Sequence, residues 1–525
     1  MDGAFPNELL VGLTPEQREA VTSPARRLLV RATAGSGKTH VLTLRIHRRV
    51  AEGELAGEHV LAMTFTRKAG EELRRRLFRS GVRDVRAGTF HRAALTLVNQ
   101  HRRDTGRSPA QVEANRRRLV VGLVEQLERD GVTRVADWQL PRLEQEIGWA
   151  LSQGLTGRTY GAEARRHRRD APLPPTVFAE VLDRYVGLCA SRGVLDFDLL
   201  LREAIDVLRE DAPTRAAFRH RTRALFVDEA QDMNPLQFAL LREMAGDDPD
   251  LFAVGDPHQS IYGFNGASPH LIDEIVRTWP DTQVVDLTRN HRSTAHIVAV
   301  ANTMLEEGAR GITPAREGGS IPLVREYRTD AEEARHVAAW LSATHQPGTA
   351  WRTMAVLART NAQLDVVATA LDAAGVPYER RGPEHSPASD LVTGTEPGRR
   401  LDSAPGPDAV ALSTIHRAKG LEFAHVAVVG WSEGLLPHYA AVRPAQIAEE
   451  QRLAYVALSR AESTLLVTWS RGRDDARDPD REPSRFLTPI TTEIAALAAR
   501  EAPLTGEARR ARLDAIRRQL EQGAQ

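Results

Sequence analysis

The sequence predicts an α/β protein in which parallel sheets covered by helices form two lobes, with a helical insertion in the first. Three observations carry that expectation. Short apolar runs at Val60–Phe65, Leu225–Val227, Leu251–Val254 and Val284–Leu287 alternate with segments of helical periodicity. A second series does the same at Met354–Leu357, Val410–Ser413, Val426–Val429 and Leu465–Thr468. Strands that alternate with helices make parallel sheets, because each connecting helix returns over a face of the sheet. Between the halves of the first series, residues 93–204 read as mostly helical and arginine-rich, with Arg116–Arg118 and Arg165–Arg169. The expected division is 1–92 and 205–280 for the first lobe, 93–204 for the insertion, 281–495 for the second lobe and 496–525 for a helical tail.

With 525 residues, 42% hydrophobic and 27% charged, the chain can bury more than one core. No apolar run approaches the roughly 18 to 20 residues of a membrane span, and Met1–Leu10 lacks the blocks of a signal peptide. A cytoplasmic protein without a membrane partner is expected. Cys189 is the only cysteine, which excludes disulfide frameworks and multi-thiolate metal centres within the chain; it reads as a small buried hydrophobe. Seventy basic and seventy acidic residues balance, so any nucleic-acid site must be a local groove. Among the basic residues only Lys38, Lys68 and Lys419 are lysine. Where arginine is the default cation, a lysine marks a place for a compact ammonium, and all three fall in the motifs that follow.

Leu28–Arg31 reads as a strand, Ala32–Thr39 (ATAGSGKT) as a loop, and the segment from His40 as a helix. This is close to a phosphate loop, with Ala32 where the general pattern has glycine. Backbone amides across Ala34, Gly35, Ser36 and Gly37 are expected to cradle phosphates, Lys38 to reach the β/γ oxygens and Thr39 to hold Mg²⁺. A second strand, Ala224–Val227, runs into Asp228-Glu229-Ala230-Gln231-Asp232. Asp228, at the strand's carboxyl end, is placed to hold Mg²⁺ with Thr39, and Glu229 to orient and deprotonate the attacking water. Taken alone, the acidic run also fits a turn capping a helix at Asn234-Pro235.

These motifs and others, in one order from residue 13 to 461, resemble the UvrD, PcrA and Rep group of superfamily 1 helicases. The matching segments are Leu13–Val21, Ala62–Leu73, Gly88–Arg92, Asp196–Leu200, Val254–Ala267, Leu287–Ser293, Leu412–Gly430 and Glu449–Ala461. The resemblance implies two RecA-like P-loop NTPase lobes, ATP and Mg²⁺ as cofactors, and 3′ to 5′ motion on single-stranded DNA in repair or recombination. It implies that Gln17 reads the adenine edge, that Gln259 senses the γ-phosphate, that Arg292 and Arg460 reach it from the second lobe, and that Glu422 faces the nucleotide. His291 stands where the family has a stacking tyrosine, and His40 where it often has arginine, so base selectivity stays open. Asn265 replaces an arginine of the family's motif.

A motor indifferent to sequence holds bases by stacking, worth about 1 to 3 kcal/mol per base. Phe65, Phe90, His91, Tyr262, Phe264 and His416 occur where strands end inside the matching motifs, with Thr89 beside them and Arg67 and Lys68 placed to meet phosphates. Tyr262 and Phe264 lead; core packing is the competing reading of Phe65 and Phe90. The expected partners are single-stranded DNA and single-strand/duplex junctions. Between Tyr378 and Asp408, where the family carries a large second insertion, lies a short Pro-, Gly-, Asp- and Ser-rich linker, 379–408. The alternative reading follows from it: a DNA-sensing motor subunit that depends on a protein partner, a nuclease of the phage-defence type or a repair factor.

Overall fold

The structure is a computed structural model and describes residues 6–306, 308–380, 407–472 and 480–501. The first sheet has six parallel strands in the order Arg86–Thr89, Val60–Thr64, Ala224–Val227, Leu251–Gly255, Arg27–Ala32 and Gln283–Leu287. Val60–Thr64, Ala224–Val227 and Leu251–Gly255 are buried along their whole length, as central strands covered on both faces must be. On one face helices Phe90–Asp104 and Phe197–Glu210 pack through Leu97, Val98, Leu200 and Leu201. On the other, helix Lys38–Ala51 packs through Val41, Leu42 and Ile46.

The first sheet runs past the expected boundary at residue 280. Gln283–Leu287 pairs with Arg27–Ala32 from Gln283 opposite Leu28 to Leu287 opposite Ala32. Its Val285 and Leu287 close the same core as Leu28 and Val30, so the edge beside the phosphate loop is the place that buries them.

Helices Arg116–Arg129, Leu140–Ser152, Gly157–Arg166 and Pro175–Ser191 enclose a separate core around Leu123, Ile147, Tyr160, Phe178 and Tyr185. Cys189 is buried there as a free thiol. Since helices Phe90–Asp104 and Phe197–Glu210 belong to the first lobe's core, the independently packed insertion is narrower than 93–204. Arg116 anchors it, donating from Nε to Asp196 Oδ2 (2.9 Å) and from Nη2 to Asp198 Oδ2 (2.5 Å).

The second sheet is also parallel, in the order Leu323–Thr329, Ala461–Gly472, Phe423–Val428, Met354–Ala358, Val410–Thr414 and Tyr378–Arg380. Helices Asp330–Thr344 and Asn361–Ala373 cover one face, and Ala295–Asn302, Pro444–Leu458 and Leu487–Glu501 the other. The two parallel-sheet lobes expected from the sequence are therefore present. The linker at 379–408 lies almost entirely outside the described residues, and of the tail at 496–525 only 496–501, the end of helix Leu487–Glu501, is described. Among the described residues no helix is long and apolar enough to cross a membrane.

Candidate nucleotide and DNA site

Strand Arg27–Ala32 ends in the glycine-rich loop, and Lys38 opens the helix that follows. Gly35 and Gly37 have φ of 69° and 84°, a backbone region that side-chain-bearing residues enter only at a cost. Gly35 is constrained again by its neighbours: a Cβ there would lie 2.6 Å from Asn290 Nδ2 and 2.9 Å from Arg292 Cβ. The second lobe sits directly on the loop. Asn290 Nδ2 donates to Ala34 O (2.8 Å) and the His291 N–H to Gly35 O (2.9 Å). The Ala34 N–H donates to the Tyr455 hydroxyl (3.1 Å).

The carboxylates come from the neighbouring strand ends. Thr39 Oγ1 donates to Asp228 Oδ2 (3.1 Å). Glu229 has φ 53°, a left-handed conformation that costs a non-glycine residue on the order of 1 to 3 kcal/mol and persists where surroundings enforce it. Here its N–H donates to Asp228 Oδ1 (3.0 Å), and its carboxylate accepts from Gln231 Nε2 (2.6 Å). Gln231 Oε1 accepts the Asp256 N–H (2.9 Å), and Asp256 Oδ2 accepts from Gln259 Nε2 (2.7 Å). A chain of hydrogen bonds thus runs from Glu229 to Gln259, and Arg460 Nη2 reaches Gln259 Oε1 at 3.5 Å from the second lobe.

Charge is unevenly shared in this cluster. Burial and the adjacent Glu229 push the Asp228 carboxyl up. Burial works the same way on Glu229, but the charges of Lys38 and Lys419 and the hydrogen bond from Gln231 outweigh it and bring that carboxyl down. Burial, and then the Arg292 charge, lower the Arg460 guanidinium to about 9. Arg460 is held by carbonyls, donating from Nε to Val456 O (3.1 Å) and from Nη1 to Leu421 O (3.0 Å). Arg292 donates from Nε to Glu422 Oε2 (2.7 Å) and from Nη1 to Ser459 O (3.1 Å).

A cleft of about 660 Å³ lies between the lobes. Gly35, Ser36, Gly37, Lys38, Thr39, His40, Glu229 and Gln259 face His291, Arg292, Glu422 and Arg460 across it. Such a cleft can hold a polyphosphate on amides and cations and place a carboxylate beside its end. The Thr39 hydroxyl and the Asp228 carboxyl are adjacent hard oxygen donors of the kind Mg²⁺ shares with phosphate oxygens and water. Among the described residues no group of three or more His, Cys, Asp or Glu gathers for a metal.

Two residues of the expected nucleotide site, Ala34 within the loop and Gln17 behind it, do not line the cleft. Ala34 is buried. Gln17 is 5% exposed, accepts the Thr14 N–H (3.0 Å) and donates to Ser36 O (2.9 Å), so its amide braces the loop backbone. Arg76 and Arg316, which the sequence reading did not single out, also line the cleft. Burial, and then Arg76, lower the His40 imidazole; burial, and then Arg289, lower His291.

The aromatic residues of the sequence reading divide. Phe65 and Tyr262 stack, with ring centroids 5.0 Å apart and planes at 21°. Tyr262 meets Phe264 edge-on at 6.1 Å, and Phe264 meets His416 of the second lobe at 5.8 Å. Phe264 stays 43% exposed. His91 packs edge-on against Phe197 at 5.6 Å and, with Phe65 and Phe264, lines a cavity of about 600 Å³ against the insertion. Arg67 and Lys68 begin helix Arg67–Arg79, with Lys68 exposed. Phe90 is a different case: it is 3% exposed and belongs to the first lobe's core. Its position explains this, since Phe90, Ala94, Leu97 and Val98 share one helix face, the face turned to the sheet. Thr89 is buried as well, its hydroxyl capping that helix by accepting the Arg92 N–H (3.2 Å).

Lys419, absent from the expected site, joins the two halves. Its Nζ lies 2.6 Å from each carboxylate oxygen of Asp232, 2.5 Å from Gln259 O, and 5.0 Å from the Tyr262 ring centroid. The pair is almost fully buried, with 6% of the Lys419 side chain and 1% of the Asp232 side chain exposed. The rarity of lysine in the sequence was the signal that pointed to it.

Residues 13–280 match the UvrD/REP helicase N-terminal domain, and residues 285–384 and 395–472 match the UvrD-like helicase C-terminal domain. The chain is 33% identical over 609 residues to the ATP-dependent DNA helicase UvrD2 of Mycobacterium tuberculosis (strain ATCC 25618 / H37Rv), covering 97% of this chain and 85% of that protein. It is 27% identical over 685 residues to UvrD1 of the same strain, covering 93% and 86%. To DNA helicase II of Escherichia coli (strain K12) it is 32% identical over 392 residues, covering 71% of this chain and 52% of that one.

Proposed function

The chain belongs to the UvrD/REP family of DNA helicases, and we propose that it couples ATP hydrolysis to 3′ to 5′ translocation along single-stranded DNA, in DNA repair or recombination. The observation that carries this reading is the convergence of Lys38, Glu229 and Gln259 from one lobe with Arg292 and Arg460 from the other around a single cleft. Lys38 and the loop amides bind the phosphates of ATP, and Glu229 orients and deprotonates the attacking water. Thr39 and Asp228 would hold Mg²⁺, which when bound would screen the phosphate oxygens. Arg292 and Arg460 stabilise the charge that builds on the transferred phosphoryl group. Such an arginine is worth about 10³ to 10⁵ in rate, or roughly 4 to 7 kcal/mol. Hydrolysis is therefore fast only while the lobes are shut.

Gln259 ties this chemistry to DNA. Tyr262 and Phe264 follow it within one short loop, and their rings are the surface on which bases stack as the strand crosses from Phe65 to His416. A change at the γ-phosphate that moves Gln259 moves the stacking loop with it. Stopped-flow translocation on oligonucleotides labelled at either end tests the reading. Arrival at a 5′ label should lag in proportion to strand length. Arrival at a 3′ label instead would reverse the polarity, and an ATPase indifferent to single-stranded DNA would remove the motor altogether. Unwinding of a 3′-tailed duplex by the chain alone tests whether a protein partner is required.

A further inference from the structure

Behind the cleft, both backbone groups of Ala34 are taken by the second lobe. The Ala34 N–H donates to the Tyr455 hydroxyl (3.1 Å), and the Ala34 carbonyl accepts from Asn290 Nδ2 (2.8 Å). A peptide N–H so engaged is not free to cradle a phosphate. Tyr455 belongs to helix Pro444–Leu458 and is fully buried, its ring in a core that joins Ala34 and Ile261 to the second lobe. The hydroxyl has one proton to give, and Asp256 Oδ2 of the first lobe stands 3.4 Å away to accept it. Burial, and then the Asp256 charge, push the phenol far up, so the hydroxyl keeps that proton.

Asp256 is the other half of the arrangement. Its buried carboxylate accepts the His258 N–H at Oδ1 (3.0 Å) and Gln259 Nε2 at Oδ2 (2.7 Å), the oxygen that also faces Tyr455. Of these three donors only Tyr455 comes from the second lobe. Arg460, five residues after Tyr455, reaches Gln259 Oε1 at 3.5 Å. One stretch of the second lobe therefore meets the Asp256–Gln259 pair twice and the phosphate loop once. A phenylalanine ring would fill the same core; what the hydroxyl adds is two bonds that cross between the lobes. Deleting it leaves a buried N–H and a buried carboxylate short of a partner, a loss worth about 10- to 100-fold in an equilibrium or a rate.

We propose that Tyr455 is a positioning residue for ATP hydrolysis: its hydroxyl joins the Ala34 amide to Asp256 when the lobes close, and so sets Gln259 for Arg460 and the γ-phosphate. The proposal rests on the reading of the cleft as an ATPase driven by single-stranded DNA. Its test uses the full chain carrying Tyr455→Phe, which keeps the ring and deletes the hydroxyl. DNA-stimulated kcat should fall by about 10- to 100-fold, with KM for ATP within about threefold of wild type. Affinity for ADP with aluminium fluoride, a mimic of the transferred phosphoryl group, should fall by a similar factor, while affinity for ADP alone, which has no γ-phosphate to close upon, should hold. A residue that only filled the core would lower the melting temperature and leave the two affinities in their wild-type ratio. In a Gln259→Ala chain, adding Tyr455→Phe should weaken binding of the mimic by less than about twofold more, because the path through Gln259 is already cut. Asp256→Asn, which turns the acceptor shared by Tyr455 and Gln259 into an amide, should separate the two affinities in the same way, and it carries the test should Tyr455→Phe fail to fold. Wild-type kcat and mimic affinity in Tyr455→Phe, or a fully additive loss on Gln259→Ala, would overturn the proposal and leave the motor standing. A wild-type chain whose ATPase ignores single strands would overturn the reading beneath it.

Discussion

The nucleotide cleft and the aromatic strip meet in the loop after strand Leu251–Gly255 and are built from different materials. In the cleft, Lys38, Glu229, Gln259, Arg292 and Arg460 act through charge and directed hydrogen bonds, and the last four are each held by partners of their own. In the strip, Phe65, Tyr262, Phe264 and His416 touch ring against ring, with Phe264 still open to solvent. Buried charges interact strongly and leave a partner stranded when one is removed. Aromatic contacts add in modest, similar increments. The cleft should therefore fail all at once and the strip by degrees.

The largest effects belong to the cleft. Lys38→Ala, Glu229→Gln and Arg460→Ala should each lower ATP turnover at saturating single-stranded DNA by about 10³-fold or more, with far-ultraviolet circular dichroism unchanged. Turnover within tenfold of wild type in any one of them would end the contrast with the strip.

Between the two regions stands Lys419, and the next effect in size is its own. Lys419→Met strands Asp232, whose carboxyl burial and Glu229 already push up to about 7. Lys419→Arg keeps the charge but replaces a compact ammonium, which here meets two carboxylate oxygens, a carbonyl and a ring, with a planar fork. Both should lower DNA-stimulated kcat by roughly 10- to 100-fold, about 1.4 to 2.7 kcal/mol of barrier, and leave KM for ATP nearly unchanged. Adding Asp232→Asn to Lys419→Met should do little further harm, since the interaction is already lost. A full additive loss would show that Lys419 does not act through Asp232.

Smaller losses are expected along the strip. Phe264→Ala should weaken single-strand binding by about 5- to 100-fold while basal hydrolysis holds. Phe90→Ala, from the same kind of motif, should leave binding alone and lower stability by about 3 to 5 kcal/mol, because Phe90 lies in the core. If the two variants exchanged these phenotypes, the division of the aromatic residues would be wrong.

That division shows how far the sequence could be read. The cleft was legible because its parts sit in short motifs where the chemistry dictates the residue: glycines for positive φ at 35 and 37, a lysine and a hydroxyl after them, two carboxylates after a buried strand. Both parallel sheets were legible from alternation. The contacts of Gln17 and Phe90 were not, because each depends on what faces it across space. The Gln17 amide is taken up by Thr14 and Ser36, and the Phe90 ring by the helix face it shares with Leu97. The strand Gln283–Leu287 was assigned to the wrong lobe because an apolar run carries no label for the sheet edge it joins. Tyr455, whose hydroxyl receives a phosphate-loop amide from the far lobe, left no local sign at all.

The smallest effect is one that distinguishes contact from charge on the DNA side. His416 and His91 are the two histidines placed among the strip's aromatics. Burial, then Arg359 and Lys419, hold the His416 imidazole down to about 3; burial and Arg116, against the pull of Asp196, hold His91 down to about 4. A histidine at its ordinary value of about 6.5 goes from nearly neutral at pH 8 to mostly charged at pH 6, and a new cation beside phosphates would tighten binding as the pH falls. These two are neutral throughout that window and offer only a ring face and edge. Single-strand affinity at constant ionic strength should therefore change by less than about twofold between pH 8 and pH 6. A rise on acidification that disappears in His416→Gln or His91→Gln would mean that the strip holds DNA by charge as the cleft holds phosphate, and the contrast between the two regions would dissolve.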